Sequence, residues 1–259
     1  MTKKDTSWNA VATWYDEMVS NDDSYQEKVI LPNLIRLMNL SAGQKVLDLA
    51  CGTGFFALHF AKLVGDQNVT GVDLGKNLID LAKKNNPKIN FKIAPAHNLS
   101  ILLDQSFDKV ALILAIQNIA EINLMLAEIY RVTKSVGSVY IVMNHPAFRI
   151  PKRSSWGFDE SASVQYRRID GYLHESKTEI VMNPGATEKK PYSTETTVSF
   201  HRPLQYYTKL FAATGFAMSR LEEWISHKHS QAGPRQKEED RMRSEIPLFL
   251  FMEIKKIGN

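Results

Sequence analysis

VLDLACGTGFFA, residues 46–57, reads as a buried strand that runs straight into a glycine turn and then into a helix. A turn of that kind brings bare backbone close to a ligand, with a helix N-terminus behind it. Working outward, strand-like apolar runs alternate with helical ones. KVLDLA (45–50) leads into a helix through Leu63, and NVTGVD (68–73) into GKNLIDLAKKNN. NFKIA (90–94) and FDKVALILA (107–115) follow, then a helix EINLMLAEIYRVTK (121–134) whose Leu124, Ala127 and Ile129 are expected to face the core. After a turn at Gly137 comes SVYIVMN (138–144). This alternation predicts a parallel sheet covered by helices on both faces. Upstream, residues 8–40 carry apolar positions at helical spacing, broken at Pro32.

Downstream the rhythm fails. Residues 146–198 are rich in Pro, Arg, Ser and Tyr and show little periodicity. Regularity returns with a helix around 203–214 ended by Gly215, then AMSRLEEW (217–224) and LFLFMEI (248–254), with 20 polar residues, 226–245, between those two strands. Insertions of this length in a compact domain are lids, binding loops or disordered segments.

The composition excludes several classes. A chain of 259 residues, 44% apolar and 23% charged, has the make-up of a soluble globular protein. The longest apolar run, VALILAI (110–116), is far too short to cross a bilayer, so no membrane partner is expected. The N-terminal MTKKDTSWNA lacks the apolar stretch of a secretory signal, and the one cysteine, Cys51, leaves no internal disulfide. A cytoplasmic location is the expectation. The net charge of +4 is spread along the chain, permitting an anionic partner without requiring one. Nucleic acid is therefore not the favoured partner. His227 and His229 have no further ligand at a recognisable spacing, so no metal site is expected.

GTGFFA fits the dinucleotide fingerprint G-x-G-x-x-G/A, so the glycines alone leave a nicotinamide-dependent oxidoreductase open. Two carboxylates shift the balance. Asp48 lies four residues before Gly52, where a dinucleotide fold normally has an apolar or small residue. An anion there suits a cationic ligand such as S-adenosylmethionine, with its sulfonium and ammonium groups. Asp73 ends the next strand, 19 residues after Gly54, where a carboxylate can accept hydrogen bonds from ribose hydroxyls.

With these residues in view, VLDLACGTG followed by VTGVDLGKNLIDLAKK resembles motifs I and II of the class I S-adenosylmethionine-dependent methyltransferases. The resemblance begins at WNAVATWYDEM (8–18), passes through FDKVALILAIQNI and reaches the ending GF…LEEW…PLFLFMEI. It implies one domain over 1–259 with a Rossmann-like, doubly wound α/β sheet of seven strands, mostly parallel, with one antiparallel C-terminal strand. It also implies an N-terminal helical segment, 1–40, over the cofactor and an inserted cap, 149–198, after the fifth strand. S-adenosylmethionine is the implied cofactor. Its implied contacts are Tyr15, Asp48, Ala50, Gly52, Thr53, Gly54, Asp73, Leu74 and Gln117, with the adenine amino group met by Ala96, His97 or Asn98. These last replace the acidic residue the family often carries, because Pro95 stands where an aspartate is common. Cys51 is read as packing.

Methyl transfer from a sulfonium is an in-line displacement, and much of the catalysis can come from holding the acceptor on line. The expected acceptor is a small molecule, methylated at oxygen, nitrogen or carbon, with an RNA substrate as the alternative. Asn118, Asn144, Arg149, Tyr166, Arg167 and Tyr172 are the candidate acceptor contacts. His145 and His201 are candidate bases, each with the alternative of bracing a loop through a hydrogen bond.

Overall fold

The computed structural model describes residues 7–182 and 195–257. Part of the expected cap, residues 183–194, and residues 1–6 of the N-terminal segment lie outside the described residues. Seven strands form the central sheet: β1 (Val46–Leu49), β2 (Val69–Asp73), β3 (Asn90–Ile93), β4 (Phe107–Ile113), β5 (Thr133–Asn144), β10 (Phe216–Trp224) and β11 (Phe249–Lys256). Their order is β10-β11-β5-β4-β1-β2-β3. Strands β1 to β5 pair in parallel, whereas β11 runs antiparallel to both β5 and β10. The expected topology is present, including the single reversed strand.

The inner strands β1, β4, β5 and β11 are largely buried on both faces, as a sheet between two helical layers requires, while the edge strands β3 and β10 are partly exposed. Val46, Tyr140, Val142 and Phe251 pack with the helices α2 (Leu31–Met38) and α3 (Phe55–Val64). Leu47, Leu49, Val139 and Ile141 pack with α5 (Ile122–Val132) and α6 (Leu204–Ala213). Helices α1 (Ala12–Val19) and α4 (Lys76–Asn85) lie together, and the 3₁₀ turn Ser7–Val11 ahead of α1 is tied to α4 by hydrogen bonds between Asn77 and Asn9 of 2.6 and 3.0 Å.

Three local expectations are corrected. Pro32 does not break the N-terminal helix. A π-helical turn, Gln26–Ile30, runs directly into α2, and Pro32 falls in its first turn, where a missing N–H is tolerated. On α5 the buried face is Ile122, Met125, Leu126, Ile129 and Val132, so Leu124 and Ala127 lie on the solvent side of the 3.6-residue period. Gly137 is no turn but part of β5, which begins at Thr133 and shifts register against β4 between Phe107 and Lys109.

The insertion after β5 forms two antiparallel hairpins. β6 (Ser154–Asp159) pairs with β7 (Val164–Ile169), and β8 (Ser176–Val181) pairs with β9 (Thr196–His201). The polar run between β10 and β11 contains α7 (Gln236–Glu245), which packs against β7. Arg235 reaches Glu160 at 2.5 Å and lies over the Phe158 ring at 4.2 Å. The second insertion thus braces the first.

Candidate active site

The strand order reverses between β1 and β4, and ligands of open α/β sheets bind outside the carboxyl ends of the strands at such a point. Backbone conformation marks the same place. Ala50, after β1, has φ 57° and Leu114, after β4, has φ 54°. Non-glycine residues in this region store strain, which gathers at functional sites. Neither position carried a sequence signal for it.

On the β1–β3 side the loop 50–54 is drawn tight. Gly52 (φ 56°) donates its N–H to Asp73 Oδ2 at 2.9 Å, and Asp73 Oδ1 accepts from Gly75 N at 2.8 Å. A methyl group built on Gly52 would lie 2.9 Å from the Tyr15 ring, so α1 seats Tyr15 directly on the turn. Burial first, then the Asp73 and Asp48 charges, raises the Tyr15 hydroxyl above its ordinary range. Asp48 shares the face of β1 that packs on α3. It is 1% exposed, and its Oδ2 has no hydrogen-bond partner. Burial, then repulsion from Asp73, pushes it up to about 8, against the opposing N–H of Ala57. Thr53 Oγ1 is also buried and unpartnered. Leu74 stands 44% exposed at the end of β2, and Ala96, His97 and Asn98 form the turn after β3. Cys51 is buried, and burial pushes its thiol up, as suits packing.

On the β4–β5 side lies a cavity of about 260 Å³. Gln117, Asn144, Arg149, Arg167 and His201 line it, as do Arg202 and Tyr207, which the sequence reading did not single out. Asn118 instead ties the sheet edge to β9 by donating to the Val198 carbonyl at 2.9 Å. Tyr172 accepts from Leu204 N, and Tyr166 packs its ring over Gly157. Neither of these tyrosines lines the cavity.

The two histidines differ. His145 Nδ1 accepts from Ala147 N at 3.2 Å, so the proton sits on Nε2 and is donated to Glu223 at 2.7 Å. Both ring nitrogens are committed. His201 Nε2 donates to the Tyr172 carbonyl at 2.8 Å, which leaves the lone pair on Nδ1. Burial holds both histidines below the ordinary imidazole range, so both are neutral at pH 7.

A family model described as a methyltransferase domain matches residues 46–137. The demethylmenaquinone methyltransferase of Lactobacillus johnsonii is 33% identical over 185 residues, which cover 65% of this chain and 73% of that protein. The chain belongs to the class I S-adenosylmethionine-dependent methyltransferases. The demethylmenaquinone methyltransferase of Oceanobacillus iheyensis is 28% identical to this methyltransferase over 56% of this chain and 63% of that protein. Among solved structures, an S-adenosylmethionine-dependent methyltransferase from Mesorhizobium loti superposes with a TM-score of 0.68 at 21% identity, covering 87% of this chain and 96% of that one. One from Aquifex aeolicus gives 0.59 at 13% identity, over 95% and 98%. These likenesses concern the fold. The family membership answers the ambiguity of the glycine turn: the cofactor is S-adenosylmethionine. Two orphaned buried oxygens, on Asp48 and Thr53, beside a left-handed glycine turn, suit a ligand that brings its own donors.

Proposed function

We propose that this methyltransferase acts on a small-molecule acceptor bound in the cavity between the carboxyl edge of β4–β5 and the hairpins of the 149–198 cap. The observation that carries the reading is the adjacency of two half-sites. The glycine turn and the two carboxylates end β1 and β2, and the cavity lies across the neighbouring β4 and β5. When bound, S-adenosylmethionine supplies an electrophilic methyl group on its sulfonium. Asp73 would hold the ribose hydroxyls, Leu74 would lie against the adenine, and residues 96–98 would meet the adenine amino group. Asp48 would face the ammonium group or its water, and Tyr15, on the N-terminal segment, would cover the turn. The cap excludes water and holds the acceptor on line, which is where much of the rate of a sulfonium displacement can arise. His201 lines the cavity and commits Nε2 to the Tyr172 carbonyl, so its Nδ1 would take a proton from a hydroxyl or amine.

The test is methyl transfer from labelled S-adenosylmethionine into metabolite pools and into total RNA, in parallel. Label in a small-molecule fraction supports the proposal. Label in RNA, with binding that weakens steeply as salt is raised, establishes the nucleic-acid alternative instead.

A further inference from the structure

The cavity wall carries charge of one sign. Among the described residues Arg149, Arg167 and Arg202 line it, and no aspartate or glutamate does. Arg167 donates only to neutral acceptors, the Phe148 carbonyl at 3.0 and 2.8 Å and Ser154 Oγ at 2.8 Å. Arg202 likewise donates to the Ile119 and Ala120 carbonyls at 3.1 and 3.3 Å. Among the described residues none of the three arginines has an ion-pair partner. Arg202 is the telling case. It is 5% exposed, lies over the Phe200 and Tyr206 rings at 4.9 and 5.5 Å and beside the Tyr207 hydroxyl, and among the described residues its Nη1 meets no acceptor with hydrogen-bond geometry.

A buried guanidinium without a counter-charge is costly, and a ligand that brings the charge removes the cost. A buried guanidinium with no carboxylate beside it among the described residues leaves room on this wall for a counter-charge from outside the chain. The planar guanidinium fork matches the oxygens of a carboxylate or phosphate. Resting on the small-molecule reading above, we propose that the acceptor is a small organic anion whose carboxylate or phosphate is gripped by Arg202, with Arg149 and Arg167 beside it. A neutral acceptor would leave all three cations without a counter-charge among the described residues. The division of charge across the switch point then has a reason. The carboxylates Asp48 and Asp73 stand on the cofactor side, and the guanidinium groups stand on the acceptor side.

The test is calorimetry on the full chain saturated with S-adenosylhomocysteine, using benzoate, phenyl phosphate and the neutral benzamide as probes. One of the two anions is expected to bind at least about tenfold more tightly than benzamide, in line with a charged hydrogen bond. Which anion wins identifies the group. Arg149→Gln, at an exposed position that does not threaten the fold, and Arg202→Gln are each expected to lower that affinity about tenfold. Arg202→Lys should restore part of it, with thermal melting checking that each variant is folded. Benzamide binding as tightly as both anions, neither anion binding, or folded variants that bind as the parent does would overturn the proposal. A separate titration guards the reading underneath. If S-adenosylhomocysteine itself fails to bind, the cofactor assignment falls, and this inference with it.

Discussion

Asp48 is the residue on which the site's chemistry turns. Its carboxyl is held near pH 8 by burial and by Asp73, so the ligand-free protein keeps it largely protonated at neutral pH. A cationic ligand favours the ionised form, and binding below pH 8 must therefore release a proton. The affinity for S-adenosylmethionine is expected to rise with pH up to about 8 and then level off. Calorimetry on either side of that value should show this slope, and Asp48→Asn should flatten it. In the ligand-free protein the sign reverses. A raised carboxyl pKa contributes stability at acid pH that is lost as pH rises through about 8. Asp73 makes the second residue-scale prediction. Asp73→Ala removes an acceptor that also pins the Gly52 N–H, and should weaken S-adenosylhomocysteine binding by ~1.5–3 kcal/mol by calorimetry. Both carboxylates were legible in the sequence because each sits at a strand end, a fixed offset from the glycines. Arg202 was not, because an arginine beside a histidine and a proline looks like any surface cation until the fold buries it.

At the scale of elements, the cap has two roots and a histidine at each. His145 fixes the exit from β5 by bridging Ala147 and Glu223 of β10, whereas His201 closes β9 against Tyr172. Their substitutions should separate. His145→Ala is expected to lower stability by ~1–3 kcal/mol in denaturant unfolding, with cofactor affinity unchanged. His201→Asn should lower turnover roughly a hundredfold to ten-thousandfold at unchanged cofactor affinity, if the acceptor must lose a proton. The elements themselves were read from the sequence with uneven success. The inner strands β1, β4, β5 and β11 were plain because apolar runs bounded by turns leave little choice. The hairpins of the cap were not, since β6, β7 and β8 are short and partly exposed and carry no clean alternation of apolar residues. The helix α7 was missed as well, although Glu238, Arg241 and Glu245 have the three- and four-residue spacing of helical ion pairs and form them at 3.0 and 2.5 Å.

For the whole molecule, the layered sheet and the cap divide the labour. Under the proposed function, the sheet edge supplies the cofactor loops and the hairpins complete the acceptor cavity. A chain in which residues 149–198 are replaced by a short linker should still bind S-adenosylhomocysteine but lose acceptor turnover. Normal turnover by that variant would show that the cap has no part in catalysis. The reversed strand has a different consequence, for the birth of the molecule. β11 lies between β5 and β10, yet it is the last of the three to leave the ribosome. Until it emerges, β5 presents an open hydrogen-bonding edge flanked by Tyr140 and Val142, and β10 has no neighbour in the sheet at all. Such an edge is a template for pairing with other chains. A nascent polypeptide stalled or released before Phe249 is expected to aggregate or recruit chaperones, while one that has passed Lys256 is expected to close its own sheet. Sedimentation of arrested translation products, cut at either point, would read the difference directly.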